Sequence, residues 1–154
     1  MELVVDGQAR AFEVVFDRHA DAAFALAYRM CGRRSTAEDV VQDSFVRIHP
    51  RFDQLDAPAA YLRRTVTNAC YSYHRRRGRE EAYRERPRPV ADPEHDDMWD
   101  ALARLTPRRR AALVLRYYLD LSEADIADAL GCRKGTVKSL THRALADLRS
   151  VLER

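Results

Sequence analysis

The sequence predicts an all-α protein made of two small helical domains joined by a flexible linker, and three observations predict it. Apolar residues recur at i, i+3, i+4 and i+7 through most of the 154 residues, the period of amphipathic helices and not the alternation of strands. Five glycines and few β-branched runs leave little material for a sheet. Between the helical halves, residues 78–93 hold Gly78, Pro87, Pro89 and Pro93 among many charges and almost nothing apolar, a linker composition. The expected division is therefore a first domain over 8–77, a linker over 78–93 and a second domain over 94–154. At 46% hydrophobic residues both halves can form cores, although a half of this size is only modestly stable alone.

A first helix is expected over residues 8–31, with Phe12, Val15, Phe16, His19, Ala22, Ala23, Leu26 and Met30 on one stripe and Gly32 ending it. Ser35-Thr36-Ala37-Glu38 has the spacing of a capping box, opening a second helix that stops before Pro50. Val41, Phe45 and Ile48 turn inward there, whereas Asp39, Gln42, Asp43 and Val46 share another face. Such an acidic stripe with one apolar member is either plain solvated surface or what a helix presents to a basic partner helix. A third helix starts near Asp56-Ala57-Pro58, with Asp56 as N-cap candidate, and runs to about Arg77. Leu62, Val66, Ala69 and Tyr73 form its apolar face; Arg64, Asn68, Tyr71 and Arg75 form a second, which runs into Arg75-Arg76-Arg77. Cations, an amide and an aromatic together can follow phosphates while holding an unpaired base. The alternative is an Arg-rich helix end that complements the macrodipole.

In the second half, Trp99, Leu102 and Leu105 suggest a short helix, and Thr106-Pro107 opens the next, which carries Ala111, Leu113, Val114, Tyr117 and Tyr118. Ser122 caps a short helix bearing Ile126, Ala127 and Leu130, and Gly131 supplies a turn. A last helix then runs from about Arg133 to Leu152, with Val137, Thr141, Ala144 and Leu148 inward. Two helices across a short Gly-containing turn, the second beginning with basic residues, make a helix-turn-helix. Arg133, Lys134, Thr136, Lys138, Ser139, His142 and Arg143 are the residues placed to meet phosphates and base edges in a major groove.

Charge supports two polyanion-binding segments. The net charge of +3 is segregated: residues 1–60 carry −3, 61–88 carry +6, 89–100 carry −5 and 101–154 carry +5. Nearly all the cations are Arg, suited to bidentate contacts with phosphate or guanine. No apolar run reaches the length of a membrane span, and Met1–Arg10 lacks the basic start and apolar stretch of a signal peptide. Cys31, Cys70 and Cys132 are odd in number and far apart, with no CxxC pair or nearby His cluster, so we expect buried thiols in a reducing cytoplasm, no metal and no cofactor. No catalytic residue is expected either. Asp92, Glu94, Asp96 and Asp97 lie in or beside a Pro-flanked linker unsuited to organising an ion, and Tyr117-Tyr118 read as core.

The chain resembles the extracytoplasmic-function type of sigma factor, in the sigma-70 family, along nearly its whole length. Ala37-Glu38-Asp39-Val40-Val41-Gln42-Asp43-Ser44-Phe45 is similar to that family's region 2 signature. Ala60-Tyr61-Leu62-Arg63-Arg64, Asn68 and Arg75–Arg77 resemble its promoter-melting part, with a Tyr-Leu-Arg-Arg start as in the actinobacterial subgroup. Leu105-Thr106-Pro107-Arg108-Arg109-Arg110, Leu121-Ser122-Glu123-Ala124-Asp125-Ile126-Ala127 and Gly135-Thr136-Val137-Lys138-Ser139 resemble region 4. The resemblance implies that Asp39, Gln42 and Asp43 lie on the contact with the clamp coiled coil of core RNA polymerase. It implies that Tyr61, Arg64, Asn68 and neighbours capture an unstacked base of the −10 element. Region 4 is then expected to read the −35 element and touch the polymerase flap. Two departures stand out: Tyr61 replaces the usual Trp, and Leu140 occupies a position that is polar in many members. No sensor or inhibitor domain is expected after residue 154, which leaves a separate anti-sigma protein as a candidate partner.

Competing readings differ in class. A one-component regulator shares the helix-turn-helix but not the acidic Asp39–Asp43 face or the Arg64–Arg77 face, and an RNA-binding antitermination protein shares only the basic helices. A nuclease or recombinase needs clustered carboxylates or a placed nucleophile.

Overall fold

The computed structural model describes residues 2–83 and 97–154, and every regular element among them is helical. In order they are α1 (Glu2–Cys31), α2 (Arg34–Ile48), a 3₁₀ turn (His49–Gln54), α3 (Pro58–Tyr83), α4 (Asp97–Ala103), α5 (Pro107–Leu113), a π-helical turn (Val114–Tyr118), α6 (Glu123–Leu130) and α7 (Lys134–Leu152). The first three helices pack on one another, with Phe16 and Ala22 of the expected α1 stripe left exposed. Leu26, Ala27 and Met30 of α1, Val41, Phe45 and Ile48 of α2, and Leu62, Val66 and Cys70 of α3 are buried together. Phe12 closes one end, its ring edge-on to Phe45 at 6.1 Å and Phe52 at 5.7 Å. Two hydroxyls buried in this unit are satisfied within their own helices: Ser44 donates to the Val40 carbonyl (2.7 Å) and Thr67 to that of Arg63 (2.8 Å).

Several local expectations are corrected. The capping box does not form: α2 begins at Arg34, with extended Arg33 as N-cap, so Ser35 already lies inside the first turn. Glu38 pairs instead with Arg34, Nε to Oε1 at 3.3 Å. The start of α3 at Pro58 puts Ala57, not Asp56, in the capping position. That helix also continues past Arg77 to Tyr83, into the stretch read as linker; the rest of that linker, with Asp92, lies outside the described residues, as do Glu94 and Asp96. Tyr117 and Tyr118 are exposed, at 63% and 52%, and are not core, because the π-helical turn rotates them off the buried face.

The second half follows its caps closely. Thr106 accepts from the Arg109 amide (3.4 Å) with Pro107 in the first turn of α5, and Ser122 accepts from the Asp125 amide (3.1 Å) to start α6. Gly131, at φ +63°, ends α6 in the left-handed region, and α7 begins after Arg133. Leu102, Leu105, Leu113 and Ala144 are buried beside Leu148.

The two halves share a core. Ala111, Ala112 and Leu115, together with Ile126, Ala127 and Leu130 of α6, are continuous with the buried residues of α1–α3. The seam runs along α3 on one side and α5 and α6 on the other.

Candidate nucleic-acid interface

The helix-turn-helix presents the expected side chains. With Val137 and Ala144 buried as the inner stripe of α7, Arg133, Lys134, Lys138, Ser139, His142 and Arg143 are exposed and Thr136 is half-buried. Ser139 donates back to the Gly135 carbonyl (3.3 Å), and Lys138 leans towards Glu123 of α6, 3.9 Å away. Arg109 of α5 pairs with Asp147, bracing the far end of α7. Leu140 and Thr141 are both half-buried on opposite flanks of the stripe, and Leu140 packs against the shared core. That placement favours packing over base contact for Leu140.

On α3, Arg64, Asn68, Arg75 and Arg76 are exposed, while Tyr61 and Arg77 are half-buried. Arg75 donates to Ser72 (3.2 Å) and Arg77 to the Tyr73 hydroxyl (3.2 Å), which splays the basic run along the helix end. Tyr71 behaves differently from its neighbours. It is half-buried beneath the other half of the chain, and its hydroxyl is fully buried with no hydrogen-bond partner among the described residues. Burial, with the nearby Cys132 and Cys70, pushes its pKa up to about 12, against the opposing Arg108 charge. An orphaned hydroxyl of this kind costs about 1–3 kcal/mol. Asn68, Tyr71 and Arg75 line one wall of a cleft whose other wall is Thr106, Pro107, Arg108, Leu130 and Gly131.

On α2, Asp39, Gln42, Asp43 and Val46 are all exposed, Val46 at 65%. Beside them Phe12, Phe16 and Phe24 of α1 meet Val41, Phe45 and Val46 in an open apolar groove, with Asp21, Glu38 and Gln42 at its edge. Apolar floor and acidic edge suit a basic amphipathic helix.

The seam brings together residues that the sequence did not connect with one another. Arg110 is buried (5% exposed) with no carboxylate partner among the described residues. Its Nε donates to the Leu102 carbonyl (2.9 Å), Nη2 to those of Ala103 and Leu105 (3.2 Å each), and Nη1 across the seam to that of Met30. His74 of α3 donates from Nε2 to the same Met30 carbonyl (2.6 Å). Trp99 lies 5.3 Å from the guanidinium and covers Gly32, where an added Cβ would fall 1.9 Å from its ring. Beneath them Cys31 and Cys70 are buried side by side, and the hydrogen bond that the Cys70 thiol donates to Cys31, together with burial, pushes that thiol up. Nothing in Arg108-Arg109-Arg110 marks the third arginine as the buried one; only its neighbours in space do.

Among the described residues no group of three or more His, Cys, Asp or Glu could hold a metal ion, and no helix is long and apolar enough to cross a membrane.

Comparison with known proteins agrees with this layout. A model of sigma-70 region 2 matches residues 15–80, and one of sigma-70 region 4 matches residues 95–148. The chain is similar to the RNA polymerase sigma-E factor of Streptomyces coelicolor, 34% identical over 95% of this chain and 88% of that one. It is also similar to the ECF RNA polymerase sigma factor SigL of Mycobacterium tuberculosis, 31% identical over 95% of this chain and 91% of that one. Among solved structures, the sigma factor RpoE of Bartonella quintana, crystallised with the anti-sigma factor NepR, superimposes with a TM-score of 0.77. That match is 27% identical and covers 94% of this chain and 98% of the other.

Proposed function

This chain belongs to the sigma-70 family, as a sigma factor of the extracytoplasmic-function type, and from that premise we propose how its surfaces divide the work of promoter-specific initiation. The exposed Asp39, Gln42, Asp43 and Val46 of α2, with the groove beside them, dock on the clamp coiled coil of core RNA polymerase. Tyr61, Arg64, Asn68, Tyr71 and Arg75–Arg77 of α3 capture and hold the opened −10 strand. Arg133, Lys134, Thr136, Lys138, Ser139, His142 and Arg143 of α7 read the −35 duplex, and the second half also touches the polymerase flap. The chain carries no catalytic group of its own and works in the cytoplasm, where an anti-sigma protein is a fitting regulator, as NepR is for RpoE in the matched complex.

The observation that carries this reading is one chain presenting three unlike surfaces in order: an acidic helix face, an Arg/Asn/Tyr face and a basic helix-turn-helix. A duplex-binding regulator has use for the last alone. The test is run-off transcription over genomic fragments by core polymerase with and without the purified chain, beside duplex binding by the chain alone. We expect new discrete transcripts and weak duplex binding. Tight, sequence-specific duplex binding without new transcripts would instead establish a one-component regulator.

A further inference from the structure

We propose that Arg110, with Trp99 and His74, is a latch that holds the second half of the chain closed over Tyr71 of the strand-capturing face of α3, so that this protein restrains its own −10 recognition without a partner. The inference rests on the preceding assignment of α3 to strand capture.

The latch is built for reversible closure. Burying a guanidinium without a carboxylate is unfavourable unless other negative charge faces it. Here that charge comes from two helix ends. Met30 lies in the last turn of α1, and Leu102, Ala103 and Leu105 lie at and just beyond the end of α4, where carbonyls lack intrahelical partners and the macrodipole is negative. Three of the four carbonyls belong to the same half as Arg110, so that half holds the side chain on its own. The fourth, Met30, lies across the seam and is shared with His74 Nε2. Trp99 adds a ring over the guanidinium and a flat seat on Gly32, whose φ of +75° and missing Cβ both allow the approach.

What the latch covers is selective. Tyr71 is capped by the turn of the helix-turn-helix, near Cys132, and its hydroxyl is stranded. A base approaching Tyr71 has to enter the cleft between it and Thr106, Pro107, Arg108, Leu130 and Gly131, so the ring is fully open to stacking only when that turn leaves. The docking face of α2 and the α7 side chains stay exposed in the same arrangement. Closure thus leaves polymerase docking, −35 contact and the exposed Arg64, Asn68, Arg75 and Arg76 available but withholds Tyr71 from the strand, and the orphaned hydroxyl favours release.

The experiment places fluorophores on exposed α1 and α7 through Ala11→Cys and Ser150→Cys, in a Cys132→Ser background, and reads their separation in the full chain alone. Promoter opening with core polymerase is followed by permanganate reactivity. We expect one short separation for the parent chain, and longer, broader separations for both Arg110→Met and Trp99→Ala with helical circular dichroism retained. If the closed form is about 90% populated, release raises the apparent affinity for the opened strand about tenfold. A parent separation already long, or unchanged in Trp99→Ala, overturns the latch; so does a lengthened separation with unchanged opening. Should Arg110→Met fail to fold, Trp99→Ala alone carries the test. Failure of the underlying assignment is seen separately, as no opening by parent or variant although the separations shift.

Discussion

At the scale of single residues, the seam rests on a few groups whose chemistry predicts measurable effects. His74 has its pKa lowered by burial, with Arg110 and Arg77 adding repulsion and the Met30 hydrogen bond opposing them. Of the elements against it, α5 contributes the Arg110 cation, α1 the Met30 carbonyl, and its own helix Arg77 and the Tyr73 ring, 5.4 Å away. The sign follows: an exposed imidazole titrates near pH 6.5, so closure is fully stable above about that value and weakens as pH falls through the lowered one. His19 is lowered too, by burial and then Arg18 and Arg63, and weakens the fold in the same direction. We therefore expect the α1–α7 separation to lengthen on acidification, and His74→Gln, which keeps a donor for Met30, to flatten that response. A His74→Gln profile identical to the parent's would remove His74 from the closure. Gly32 offers a second residue-scale check. Its positive φ and the Trp99 ring predict that Gly32→Ala lowers stability in urea by at least about 1 kcal/mol, and a neutral result would show that the ring seat is dispensable.

At the scale of elements, α2, α3 and α7 each display a face that can be altered without touching the core. Asp39→Lys or Asp43→Lys is expected to reduce co-purification with core polymerase while leaving the circular dichroism helical, since both carboxylates are exposed. Asn68→Ala is expected to slow promoter opening more than closed binding, at a cost of about 1–3 kcal/mol, read by permanganate footprints against filter binding. On α7, Arg143→Ala is expected to weaken binding to all −35 sequences alike and to lower the salt slope by roughly one. Leu140→Arg behaves differently: its half-buried side chain packs on the shared core, so the substitution lowers stability without narrowing the −35 preference. A library of −35 variants read by transcription, with a urea melt beside it, separates the two outcomes. These faces were legible in the sequence because helical spacing alone assigns residues to sides. Ser35 was misread for a related reason: capping depends on where the preceding turn ends, and the extended Arg33 moved the start of α2 upstream of the serine.

At the scale of the whole molecule, two halves that composition separates are packed into one apolar core. Ala111, Leu115, Ile126 and Leu130 lie with Met30, Val66 and Cys70 in one buried cluster, so opening the seam exposes apolar surface in both halves at once. We expect calorimetry to record one cooperative transition for the parent chain near neutral pH, and two for Arg110→Met or Trp99→Ala, as each half unfolds by itself. Two transitions in the parent would mean that the shared core contributes little to cooperativity.

What the sequence determined by itself was local and periodic: helix content, the caps at Thr106 and Ser122, the left-handed turn at Gly131, the helix-turn-helix and the sides of α2, α3 and α7. Those follow from intervals of three or four residues and from the backbone preferences of single side chains. Tertiary structure alone decided which arginine of Arg108-Arg109-Arg110 is buried, that Tyr71 is covered while Asn68 is not, and that Tyr117 and Tyr118 face outward. Each of those depends on a group distant in the chain, such as the Met30 carbonyl that Arg110 reaches across the seam, and no local interval encodes that meeting.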